Sequence, residues 1–141
     1  MRTAWIIAAV FLVALPGSAR DHATRYWVVG HRGSVPERVS RDELSDVFLK
    51  KVRDWPADGA AHPVDLPPSS AVREEFSRDV LGRSLTAVRT YWAQQIFSGR
   101  DVPPPELSEA EALRYVRSTP GAVAYVSAGQ PLDDVVVLQI E

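Results

Sequence analysis

Apolar and polar positions along the chain repeat with two periods. Tyr26–Gly30 (YWVVG) is a short aromatic and β-branched run that stops at glycine, which predicts a strand. From Ser40 the spacing becomes helical. Ser40 and Glu43 form a capping box, Val39 and Leu44 take the two staple positions, and Leu44, Val47 and Phe48 share one apolar face. Lys50, Lys51 and Arg53 then stand where cations favour a helix C-terminus. His62–Leu66 (HPVDL) predicts a short strand. Val72, Phe76 and Val80 recur at helical spacing, so a helix is expected from Ala71 to about Leu81, stopped by Gly82.

Ser84 caps a further helix whose inward face is Leu85, Val88, Trp92 and Ile96, ended by Ser98-Gly99. Ser108 and Glu111 make a second capping box, with Leu113 and Val116 inward and Pro120-Gly121 as the stop. Ala122–Ser127 (AVAYVS) and Val135–Glu141 (VVVLQIE) read as strands, the second apolar enough to be covered on both faces. Pro103, Pro104 and Pro105 mark an extended loop. Helices alternating with short apolar strands predict an α/β sandwich.

The first residues change where this domain is expected to work. Arg2 precedes an apolar run from Ala4 to Leu15, followed by Pro16, Gly17, Ser18 and Ala19. That layout predicts a secretory signal peptide over residues 1–19, cut after Ala19, with a single exported domain over residues 20–141. The run is shorter than the roughly 20 residues of a membrane span, so none is expected after cleavage; an uncleaved anchor is the alternative. There is no cysteine, hence no disulfide and no thiol chemistry. The 16 basic and 18 acidic residues leave a net charge of −2, which argues against nucleic acid as a partner.

Candidate chemistry is sparse. G-x-S-x-G is absent, and Ser34, Ser69, Ser70 and Ser127 come without a recognisable base partner. Glu74-Glu75 and Asp133-Asp134 read as solvated pairs, His22, His31 and His62 lack metal-ligand spacing, and no Gly-rich phosphate loop opens a helix. No enzyme activity, metal or cofactor is expected. The stretch VDLPPSSAVREEF supports two readings. A helix start bearing Ser69, Ser70 and the Arg73 guanidinium can seat an anion, although Asp65, Glu74 and Glu75 oppose it. Alternatively a serine is simply the N-cap, contributing about 1 kcal/mol.

Three segments in order, VFLKKVRDWPADG, PVDLPPSSAVREEF and TPGAVAYV, resemble the second lobe of the phosphate-binding component of phosphate ABC transporters and related solute-binding domains. Phe48, Trp55, Asp58 and Gly59 match the first element, with Lys50 where that family often has glycine. Pro120, Gly121, Ala122, Tyr125 and Val126 match the last. The resemblance implies a three-layer α/β sandwich, one lobe of a type II periplasmic binding protein, exported and non-catalytic. It places Ser69, Ser70 and Ala71 where the family has Ser-Gly-Thr and Asp65 where it has the anion-holding Arg. Phosphate or another small oxyanion is the implied ligand, and an envelope transport or sensor protein the implied partner. The alternative is a protein–protein interaction module that keeps the fold without the ligand.

Overall fold

The computed structural model describes residues 25–56 and 59–141. The expected signal peptide, its cleavage site, His22 and Asp58 lie outside the described residues.

Strand β1 (Tyr26–His31) begins the domain, and β2 (Arg38–Val39) leads into α1 (Arg41–Phe48). The capping box forms as expected: Ser40 N–H donates to Glu43 Oε2 at 2.9 Å and Glu43 N–H donates to Ser40 Oγ at 3.2 Å. Val39 and Leu44, the staple pair, are both buried. The helix stops before the expected cations. Lys50 instead turns the chain in the left-handed region at φ 53°, the conformation that glycine adopts without steric cost at that place after a helix.

Short strands β3 (Asp54–Trp55), β4 (Gly59–Ala60) and β5 (His62–Pro63) follow. The strand expected over HPVDL is thus shorter, and Asp65 makes only an isolated bridge to Glu106. Helix α2 (Ala71–Phe76) is six residues long and passes into a π-helical turn, Ser77–Leu81, closed by Gly82 at φ 62°. Then come α3 (Leu85–Phe97), α4 (Glu109–Ser118), β6 (Ala122–Ser127), β7 (Val135–Val137) and β8 (Gln139–Ile140).

The main sheet runs β5-β6-β1-β7, with β1 antiparallel to both neighbours and β5 parallel to β6. Val28 faces Tyr125 across β1 and β6, and Val29 faces Ala124. By alternation Tyr26, Val28 and Tyr125 share one face, and Val29 and Ala124 share the other. The first face carries α1 and α2, where Phe76 stacks on Tyr125 with centroids 3.9 Å apart and Phe48 lies 4.7 Å from Phe76. Helix α4 packs on the sheet through Ala112, Leu113 and Val116. The result is the expected three-layer sandwich.

Two expectations are corrected. VVVLQIE is not one doubly covered strand: β7 is the sheet edge with Val136 and Val137 half-buried, and β8 leaves to pair with β2. An apolar run cannot by itself tell a central strand from an edge strand. On α3, Val88 and Trp92 are buried, but Ile96 is exposed because the last turns of the helix outrun the surface it packs on.

Candidate functional site

The opening of α2 is where the expected site residues converge. Pro67 accepts the N–H of Ser70 at 2.9 Å, and Ser70 Oγ accepts the N–H of Arg73 at 3.2 Å, so Ser70 is the N-cap. Ser69 and Ala71 are exposed beside it. The hydroxyl of Ser70 therefore faces the helix backbone.

Arg73 does not reach outward. Its Nη1 donates to the Leu66 carbonyl at 2.8 Å and meets Glu106 Oε1 at 3.1 Å, while Nη2 stands 3.8 Å from Asp65 Oδ2. Asp65 is itself buried, at 7% exposure. Its other carboxylate oxygen accepts the Tyr125 hydroxyl at 2.5 Å, and that hydroxyl in turn accepts the Leu66 N–H at 3.4 Å. The backbone around Asp65 is held as firmly: its N–H donates to the Pro105 carbonyl and its carbonyl accepts Leu107 N–H. Burial pushes the Asp65 carboxyl above its ordinary range, opposed in part by Arg73 and the Tyr125 hydroxyl. Burial also raises Tyr125, with the Asp65 charge adding to it, so that phenol stays a donor. The guanidinium loses some affinity for its proton through burial, but the Asp65 and Glu106 carboxylates outweigh that and keep it charged.

Asp65 and Arg73, two of the five residues expected from sequence, are thus brought together, on each other. Glu106 and Tyr125 complete the cluster and were not anticipated. Glu106 follows a proline run that offers no local signal, and Tyr125 sits in a strand 60 positions beyond Asp65. Among the described residues, no group of His, Cys, Asp and Glu side chains is arranged to hold a metal ion, and no helix is long and apolar enough to cross a membrane.

Several solved proteins share this architecture. An ABC-type phosphate transport receptor from Vibrio cholerae superposes with a TM-score of 0.62 at 16% identity, covering 82% of this chain and 45% of the receptor. The fold is that of one lobe of a phosphate receptor. A protein described as a phosphate ABC transporter substrate-binding protein, with bound phosphate, from Clostridium perfringens matches at 0.61 and 13% identity, over 83% of this chain and 46% of its own. PstS from Borrelia burgdorferi matches at 0.61 and 11% identity, over 83% and 47%. The chain spans a little under half the length of these proteins. No protein-family model and no curated protein matches the sequence.

The receptor-lobe fold gives Lys50 and Gly121 a structural meaning. Lys50 occupies a left-handed position after α1, and Gly121, at φ 79°, brings its backbone against β4, where a Cβ would collide with the Ala60 carbonyl oxygen. The same glycine is clamped from both sides: its N–H donates to Ser34 Oγ at 2.8 Å and its carbonyl accepts Trp55 Nε1 at 2.9 Å. His31 Nδ1 lies 2.6 Å from that serine oxygen, so Ser34 serves to anchor the Pro120-Gly121 turn.

Proposed function

We propose that this chain is an exported, non-catalytic domain with the receptor-lobe fold whose own carboxylates take the place of a bound oxyanion. It acts in the cell envelope as a docking module for a transport or sensor protein. One observation carries the reading: the Arg73 guanidinium is buried and already turned onto the Leu66 carbonyl and the Glu106 and Asp65 carboxylates. An incoming phosphate would compete with two covalently tethered carboxylates. Each like-charge contact at about 4 Å costs roughly 4 kcal/mol at the effective dielectric of a protein surface. The proteins that share the fold are phosphate transport receptors and binding proteins, which accords with a binding role.

A second reading, a residual oxyanion seat at Ser69, Ser70 and Ala71, draws on the exposed position of Ser69 at the helix start. Titration calorimetry with phosphate and sulfate separates the two. The docking reading expects no saturable heat at concentrations of about 10 mM, well beyond a receptor's working range. Saturable binding that Ser69→Ala and Ser70→Ala abolish would overturn it in favour of solute binding. Export is checked by N-terminal sequencing of the secreted protein, which should begin at Arg20.

A further inference from the structure

Among the described residues, five large apolar side chains are exposed: Trp27, Val52, Ile96, Phe97 and Val102 among them reach 42%, 41%, 54%, 97% and 60%. Four of the five gather at one end of the molecule. Ile96 and Phe97 form the last turn of α3, Val102 follows the Ser98-Gly99 turn, and Val52 lies in the segment after α1. Specific bonds hold these segments together. Tyr91 on α3 donates its hydroxyl to the Leu49 carbonyl at 2.7 Å. Asp101 meets Arg53 at 2.9 Å and Lys50 at 3.8 Å, and Arg100 N–H donates to the Gln95 carbonyl at 3.0 Å. An almost fully exposed phenylalanine beside three other projecting aliphatic chains is far from the scattered singles normal on a surface.

The charge around them is as uneven. The segments that carry the patch also carry Lys50, Lys51, Arg53, Arg89 and Arg100, five cations against the carboxylates of Asp46, Asp54 and Asp101. Lys51 pairs with Asp46 at 3.7 Å, and Lys50 and Arg53 share Asp101, so among the described residues Arg89 and Arg100 are the cations of this set without a carboxylate partner. A chain of net charge −2 therefore presents a cationic, apolar end. Behind Phe97, a shallow groove of about 680 Å³ runs along α3 between Thr90, Ala93, Gln94 and Ser98, and its one charged lining residue is Arg89.

We propose that this end of the molecule docks on an anionic lipid bilayer. Phe97, Ile96, Val52 and Val102 enter the headgroup–acyl boundary, and Arg89 and Arg100 bind lipid phosphates at the surface. Apolar side chains projecting from a helix end suit a fluid interface, which conforms to any shape; a protein partner would more characteristically offer anchors into a formed pocket. Apolar insertion and basic attraction are both present, the pair of signals that peripheral attachment needs.

Flotation of the purified chain with large unilamellar vesicles tests this directly. Vesicles of phosphatidylcholine with about 30 mol% phosphatidylglycerol should carry the protein upward at about 0.05 M salt, and pure phosphatidylcholine should hold about tenfold less. Phe97→Ser with Ile96→Ser, and separately Arg89→Gln with Arg100→Gln, should each lower binding about tenfold while circular dichroism stays unchanged, since all four side chains are exposed. Protein that stays at the bottom with anionic vesicles, or that floats equally well with both double variants, overturns the proposal. So does self-association in vesicle-free solution that Phe97→Ser removes, which would make the patch an interface between proteins. None of these outcomes depends on Arg73 or on phosphate calorimetry, so this proposal and the docking reading fail separately.

Discussion

The Tyr125 hydroxyl donates a 2.5 Å hydrogen bond to the Asp65 carboxylate, tying strand β6 to the segment that leads into α2. The same oxygen accepts the Leu66 N–H, so one phenol satisfies two buried groups. Tyr125→Phe keeps the stack on Phe76 and removes only that oxygen. It should cost about 1–3 kcal/mol, the range for leaving buried polar groups unpaired. Urea unfolding of the two proteins measures it; a difference below about 0.5 kcal/mol would mean that water replaces the hydroxyl.

Stability should depend on pH through Asp65 with a definite sign. Its folded carboxyl is raised above the ordinary 3.8, so its relative contribution is fully present below pH 3.8 and lost as pH rises through the folded value. Asp65→Asn cannot ionise. Wild type should therefore lose stability relative to Asp65→Asn as pH rises from about 4, reaching a plateau once the carboxyl is ionised. Glu43 and Glu111 act oppositely: the Ser40 and Ser108 backbone N–H groups hold them below 4.5, so their contribution is present above pH 4.5 and is lost on acidification. Both proteins share that acid limb, which leaves the difference between their urea midpoints to report Asp65 alone.

Freeing the guanidinium should restore an anion site. In Asp65→Asn with Glu106→Gln, Arg73 keeps its bond to Leu66 but faces no carboxylate. Phosphate should then give saturable heat in the millimolar range, about 4 kcal/mol of binding free energy, where wild type gives none. Silence from the double variant would show that the tethered carboxylates are not what keeps anions out.

Lys50 adopts φ 53° without the freedom of glycine. Lys50→Gly should raise stability by about 0.5–1 kcal/mol, because the relief of left-handed strain exceeds the entropy glycine adds to the unfolded chain. The lost Lys50–Asp101 contact, 3.8 Å long, weighs little against it. A thermal melt that falls rather than rises would contradict this.

Gly121→Ala is the severe case. Positive φ and collision with the Ala60 carbonyl act together, and the turn is also fixed by Ser34 and Trp55. A loss of about 2–4 kcal/mol is expected, read from the same melt.

Local chemistry made much of this fold legible in the sequence. Ser40 with Glu43 and Ser108 with Glu111 announce helix starts because cap and partner lie three residues apart. Gly82 and Gly121 mark reversals for an equally local reason, their positive φ. The resemblance of TPGAVAYV to the receptor lobes extended that reading to the layer arrangement. The candidate site was legible only in part. Asp65 read as a repulsive charge beside an anion seat, since nothing near it in sequence discloses Tyr125, whose hydroxyl binds it, or Glu106, which shares Arg73 with it. Ile96 shows the converse. Its spacing from Trp92 is that of a core face, but whether a surface lies beneath it depends on how far the body of the protein extends.

The order of strands has one further consequence. Strand β1, at the start of the described chain, sits between β6 and β7, both drawn from its last twenty residues. A chain lengthening from its N-terminus cannot close this sheet early, because β1 lacks both hydrogen-bonding neighbours until almost everything else has emerged. Pairing over such separations is slow to nucleate. Closure of the main sheet around β1 therefore waits on β6 and β7.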